Sequence, residues 1–301
     1  MRNSSQFIGL LLTALALLTG CTPSGPRSRM QLVYIDRFDI KNKEEGLREP
    51  SGLTLTAADD ALWTVSDDEK KIFQLTLQGK LQKTQSFNFA DKGLEGITLD
   101  PTGAFLLTVK EENNELFLID INTHKVVQQK RLADLQGYSQ VAADFANSAK
   151  NKGLEGVTWN SDANTIFVLK EGEPGLLIEL SADLSQILAH RRLNRQNGFV
   201  DNDVSDAKLD FSGLFYDAAR RNFWIVSDQG QRLFLYDWTA NRVVESLSLS
   251  YRRNGPPKKS KKPKASPLTP PPAASTWSAT PRRGCMCLRY GRIAVKISQS
   301  R

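Results

Sequence analysis

The sequence predicts an all-β protein: a β-propeller of four-stranded blades, five in number, with the last incomplete and an N-terminal strand closing the ring. Three observations carry this. One motif recurs four times at a fixed internal spacing. Each copy is followed by short apolar runs separated by turn residues. The composition changes abruptly near residue 250, where a fifth copy is due.

The copies begin at Ser51-Gly52-Leu53-Thr54, Glu95-Gly96-Ile97-Thr98, Glu155-Gly156-Val157-Thr158 and Ser212-Gly213-Leu214-Phe215. Each glycine precedes an acid by 15 residues: Gly52 to Asp67, Gly96 to Glu111, Gly156 to Glu171 and Gly213 to Asp228. Self-similarity at a fixed period marks a repeat architecture. A second apolar run leads into each acid, such as Leu62–Ser66 or Trp224–Ser227. A third follows it at Ile72–Leu75, Leu116–Ile119, Leu176–Leu180 and Leu233–Tyr236. A fourth, more amphipathic run closes each unit at Thr84–Phe89, Val126–Leu132, Ile187–Leu193 and Val243–Leu249. Short runs rich in β-branched and aromatic residues, bounded by turns such as Asp100-Pro101-Thr102-Gly103, are strands. Four strands per unit make a propeller blade. Residues 31–40 match only the fourth strand of a unit, so this N-terminal strand is expected to complete the last blade. Trp63, Trp159, Phe167 and Trp224 are the expected core aromatics.

The ends of the chain differ from this body. Arg2 is followed by a twelve-residue apolar run, Phe7–Leu18, too short for a bilayer span of roughly 20 residues. It reads as a signal peptide over residues 1–20. Residues 21–30, rich in Pro, Ser and Gly, read as a flexible tether. Residues 251–301 hold 13 of the 40 basic residues, no acid and eight of the 13 prolines. The remainder therefore has 27 basic against 33 acidic residues, so the net charge of +7 belongs to the tail. Read one base earlier, Lys262–Pro270 permits K-A-E-G-V-A-I-D-P and Ser275–Thr280 permits L-Y-V-V-S-D. Gly284–Arg289 permits G-M-Y-V-F-A. The tail thus reads either as an out-of-frame last blade or as a disordered basic segment for anionic surfaces.

Leu18-Thr19-Gly20-Cys21 resembles the lipobox of bacterial lipoproteins, which implies cleavage before Cys21 and a lipid on its sulfur. Thr22 stands where the inner-membrane retention signal commonly has Asp, so the outer membrane is favoured. Together with the recurring [ES]-G-[LIV]-T and [SK]-[DE] motifs, residues 31–250 resemble the SdiA-regulated lipoprotein family. That resemblance implies an envelope-attached propeller of undefined activity, similar in architecture to lactonase, strictosidine-synthase-like and phytase propellers.

First strands line the channel of a propeller. Ser51, Glu95, Glu155 and Ser212 therefore begin on the same face as the acid-bearing loops. Six carboxylates (Glu95, Glu155, Asp67, Glu111, Glu171 and Asp228) are expected around one opening, with Ser51 and Ser212 as further ligand contacts. Two readings follow. An all-oxygen set suits calcium. Alternatively, Lys110, Lys170 and the serines satisfy the acids, and the glycines only permit a tight start to each strand. Insertions at 134–152 and 194–209 reach the same face; the second is Asn/Asp-rich and reads as either a solvated loop or a ligand-shaping one. His124 sits in a turn and His190 on an outer strand, so neither a Ser-His-Asp triad nor a His zinc site is available there. The leading expectation is a monomeric, non-enzymatic envelope scaffold that binds a ligand or envelope protein, with calcium as cofactor and no nucleic-acid partner. The alternative is a calcium-dependent esterase, lactonase or phosphoesterase.

Overall fold

The computed structural model describes residues 30–249, apart from 37, 147, 149–150, 202–203 and 206–208, together with the backbone of 286–287 and 294–299. The signal segment, the lipidation site Cys21 and most of the tether lie outside the described residues, as does most of the tail. No helix among the described residues is long and apolar enough to cross a membrane.

Four antiparallel four-stranded sheets follow one another along the chain. Blade I contains β2 (Pro50–Leu55), β3 (Ala61–Ser66), β4 (Lys71–Thr76) and β5 (Phe87–Asn88). Blade II contains β6 (Leu94–Leu99), β7 (Phe105–Lys110), β8 (Glu115–Asp120) and β9 (Lys125–Arg131). Blade III contains β10 (Leu154–Asn160), β11 (Thr165–Lys170), β12 (Gly175–Ser181) and β13 (Ile187–Leu193). Blade IV contains β14 (Gly213–Asp217), β15 (Asn222–Ser227), β16 (Arg232–Asp237) and β17 (Arg242–Ser248). The arrangement is the propeller that the motif spacing predicts. Asn114, Asn164 and Asn241 take left-handed φ values of 52°, 52° and 50° in connecting turns, a conformation that Asn tolerates better than most residues.

A fifth sheet pairs β1 (Met30–Asp36) with β19 (Ala294–Gln299), which pairs in turn with β18 (Met286–Cys287). β1 approaches β17 of blade IV and β18 approaches β2 of blade I. The N-terminal strand therefore joins the sheet between the last and first blades, as the sequence indicated. The expected inner strand of that blade falls outside the described residues.

The core lies between blades rather than within one. Trp63, Val65, Ile72 and Phe87 of blade I meet Ile97, Leu106 and Phe117 of blade II. Leu107, Val109 and Leu116 of blade II meet Val157, Ile166 and Val168 of blade III. Phe167, Leu169 and Leu177 of blade III meet Phe223, Ile225 and Phe234 of blade IV. Two smaller clusters face the fifth sheet, one around Trp224 with Met30 and one around Leu62 and Phe73 with Ile40 and Leu47. Burial of apolar faces between neighbouring sheets is the main favourable term holding such a fold together. Trp63, Phe167 and Trp224 are buried as expected. Trp159 is not: it is half-buried at the edge of its cluster, with its indole N–H donating to Asn164 Oδ1 at 3.1 Å.

The motif glycines have a specific task near the axis. A Cβ on Gly52 would lie 2.5 Å from the Glu95 carbonyl oxygen and 2.7 Å from the Ile97 nitrogen. One on Gly96 would lie 2.8 Å from the Glu155 carbonyl oxygen, and one on Gly156 2.9 Å from Leu214 Cβ. Each glycine thus allows its inner strand to touch the next blade's motif. Among the described residues Gly213 is different, with nothing nearer than Val226 of its own blade at 3.4 Å. In blades I and II a register shift between first and second strands accompanies the glycine. There Thr64 and Thr108 donate side-chain hydrogen bonds to the Gly52 and Gly96 carbonyls at 2.8 and 2.7 Å.

Candidate functional site

Each inner strand begins on the face that carries the β3–β4, β7–β8, β11–β12 and β15–β16 loops. The first three of these loops reach across to the following blade. Gly93 N–H donates to the Asp67 carbonyl at 2.7 Å, Gly153 N–H to Glu111 Oε1 at 3.3 Å, and Phe211 N–H to the Glu171 carbonyl at 2.9 Å. One loop acid, Glu111, is held between the first residue of its own motif, Glu95, and the first residue of the next, Glu155. At the junction of blades II and III all three positions are carboxylates. Glu95, Glu111 and Glu155 each offer an oxygen, and these oxygens all lie within 4.8 Å of one another. Glu95 and Glu155 are only 5% and 4% exposed, whereas Glu111 is half-buried.

The other expected site residues stand outside this triad. Asp67 is exposed and lines a neighbouring cleft of about 230 Å³ with Asp68, Lys92, Gly93, Glu111 and Glu112. Glu171 is paired with Lys152 at 3.0 Å. Asp228 sits in the β15–β16 loop, where its carbonyl accepts bonds from the Gln231 backbone and side chain. The hydroxyl of Ser51 donates to the Glu49 carbonyl at 3.4 Å. The buried hydroxyl of Ser212 has no hydrogen-bond partner among the described residues.

The lysines are used differently from the sequence expectation. Lys110 pairs with Asp91 at 3.0 Å, and that bond holds its amine above the ordinary lysine range. Lys170 gives its hydrogen bonds to the Gly172 and Pro174 carbonyls rather than to a carboxylate, and lies 5.6 Å from the Phe145 ring centroid. Lys152 serves Glu171; burial is the largest influence and opposes its charge, but the Glu171 hydrogen bond together with the charges of Glu171, Asp210 and Glu155 raises its pKa overall. The sequence carried a signal for Lys152: the pentapeptide K-G-L-E-G occurs at both 92–96 and 152–156.

Lys170 is 0% exposed, and burial pushes its pKa down to about 8. Between pH 8 and its ordinary 10.5 the unfolded chain holds a proton that the folded chain has lost. Stability contributed by this group therefore rises with pH across that window, and its full cost remains below pH 8. Relative to Lys170→Gln, the wild type should gain about 2 kcal/mol of unfolding free energy between roughly pH 7.5 and 9.5. Denaturant titrations of both proteins measure this; a constant difference would show that the amine is hydrated.

Both insertions carry packed side chains among their described residues. In the first, α1 (Ala142–Ala146) carries buried Asp144, which accepts from Arg192 of β13 at 2.6 Å. In the second, Phe199 is buried against Phe211, Phe234 and Tyr236, with ring centroids 5.1 to 5.3 Å apart. Asn194 caps the 3-10 turn Arg195–Asn197, and Asp201 pairs with Arg232 of blade IV.

Residues 30–264 match the family described as SdiA-regulated. Among solved structures, a chain of a nidogen/laminin complex is 11% identical with a TM-score of 0.44, over 68% of this chain and 65% of that one. A chain of the Kuenenia stuttgartiensis hydrazine synthase is 11% identical with a TM-score of 0.41, over 63% and 64%. A β-propeller domain from Myceliophteria thermophila is 13% identical with a TM-score of 0.39, over 65% and 55%. The chain thus spans between 55% and 65% of the length of these structures.

Proposed function

This chain belongs to the SdiA-regulated family, and from that premise we propose that it is a lipid-anchored envelope protein whose propeller binds a ligand or partner at a calcium-bearing mouth. The anchor in this reading is the lipid on Cys21, with the outer membrane as its destination. Glu95, Glu111 and Glu155 hold the cation, and the Asp67 cleft beside them supplies further oxygens.

The observation that supports the reading is the packing of three carboxylates within 4.8 Å, two of them buried. Like charges so close oppose each other's ionisation unless a cation or shared protons neutralise them. Calcium takes six to eight oxygens, so three carboxylates leave coordination positions for water or for an oxygen-bearing ligand.

Melting in calcium against chelator tests this. With about 1 mM calcium at roughly 100 times its Kd, linkage supplies about 2.7 kcal/mol, or an increase of about 5–8 °C. Glu95→Gln combined with Glu155→Gln should abolish that increase while leaving a folded protein. An absent shift, or one that survives the double substitution, removes calcium from this site. The same protein screened against ester, lactone and phosphoester substrates separates scaffold from calcium-dependent hydrolase; calcium binding without turnover supports the scaffold.

A further inference from the structure

The opposite face of the ring carries a second cleft with contrasting chemistry. It lies between blades I and II, has a volume of about 540 Å³, and is bounded by the β2–β3, β6–β7 and β8–β9 turns and the β4–β5 connection. Its turns touch: a Cβ on Gly103 would come within 2.7 Å of Ala57 Cβ. We propose that this cleft binds a neutral saccharide.

Gln74 carries the argument. Its backbone N–H donates to Ser86 Oγ at 3.0 Å and its carbonyl accepts from Gln82 N–H at 2.8 Å. Its side chain lines the cleft and is part of a residue only 9% exposed, yet the amide makes no hydrogen bond among the described residues. The amide is open to the cleft rather than sealed in the core, and a carboxamide offers two donors and an acceptor to whatever enters. Thr84, Gln82 and Gln85 add uncharged hydrogen-bonding groups on the same wall. Asp60 is the one acidic side chain in the lining, and it already accepts from the Thr56 hydroxyl at 2.8 Å. This donor and acceptor set matches vicinal hydroxyls, which need both functions at each oxygen.

The lining also provides a flat platform. His124, held at a left-handed φ of 57° in the β8–β9 turn, stacks on Phe87 with centroids 4.1 Å apart and planes 4° from parallel. Its own ring remains exposed beside the cleft. A ring pinned on one face and open on the other suits the apolar face of a pyranose. The cleft at the carboxylate face has none of this: Asp67, Asp68, Lys92, Glu111 and Glu112 give it a charged lining.

Calorimetric titration of the full chain with cellotetraose, maltotetraose and chitotetraose tests the proposal, with glucuronate as a charged comparison. At least one neutral tetrasaccharide should bind with Kd of about 0.1–1 mM, a range typical of a shallow site with few anchors. Gln74→Leu should weaken it by about tenfold or more, and His124→Ala by about fivefold, since each removes one of the two features. The exposed Gln85→Ala, expected to weaken binding about threefold, keeps the proposal testable should Gln74→Leu fail to fold. Glu155→Gln should leave the affinity unchanged. No binding by any neutral sugar, equal binding by Gln85→Ala and His124→Ala, or loss of binding in Glu155→Gln would each overturn it.

Discussion

Gly52→Ala is expected to lower the melting temperature by about 5–10 °C, while Gly213→Ala leaves it within about 2 °C. In a strand interior, glycine to alanine ordinarily gains about 0.5–1 kcal/mol from the restricted unfolded chain. At Gly52 the added methyl meets main-chain atoms, the Glu95 carbonyl oxygen at 2.5 Å and the Ile97 nitrogen at 2.7 Å. A side chain can rotate away from such a clash, but two inner strands can only separate. That separation loosens the interface where Trp63 and Phe87 meet Ile97 and Phe117. Gly213 has ordinary contact distance to its own neighbour Val226. Thermal melts of the two single variants decide the matter. Equal losses would mean that the motif glycine serves the turn at each strand start, not the approach of neighbouring blades.

Phe199→Ala should cost about 3–5 kcal/mol, the usual range for removing a fully buried phenylalanine. Phe199 is 1% exposed and its three aromatic neighbours come from two further parts of the chain. Among the described residues of the insertion that carries it, Leu209 is the other apolar anchor in this cluster. Its polar ties among the described residues include Asn197 to the Arg192 carbonyl at 2.7 Å and to Asn241 Oδ1 at 3.2 Å, and Asp201 to Arg232. Without the ring, the segment between Asn197 and Leu209 should become the first site of limited proteolysis in the native protein. Phe199→Leu should retain most of the protection. Unchanged melting and cleavage in Phe199→Ala would show that the polar ties alone secure the segment.

The blades were legible because their signal is local. A glycine, an acid 15 residues later and four short apolar runs lie within one unit, and strand pairing inside a blade needs nothing else. The site was legible only in part because it is assembled between units. Sequence symmetry treats the six acids as equivalent, whereas the structure groups Glu95 with Glu111 and Glu155 and gives Glu171 to Lys152. Symmetry is broken by what stands before each motif: Ser51 and Ser212 replace carboxylates at two of the four positions. Lys170 misled for a similar reason. Adjacency to Glu171 along a strand end does not decide direction, and carbonyls on its own side of the chain took the amine. The second insertion hid its role in composition, since one phenylalanine among many Asn and Asp residues fixes its position.

The sheet between blades IV and I has a further consequence. Within the blades, successive strands are joined by connections of at most ten residues, that between β4 and β5, so each pairing closes a small loop. The pairing of Tyr34 with Val295 instead closes nearly the whole chain on itself. Loop-closure entropy grows as the logarithm of length, so a loop of roughly 260 residues costs about 5 kcal/mol before its contacts repay anything. Blades I to IV can form in succession as the chain lengthens, each templated by the one before. Strand β1 has no pairing partner until β19 has been made. This strand is thus among the last to settle, and the ring behaves as a clasped belt whose buckle joins strands far apart in the chain.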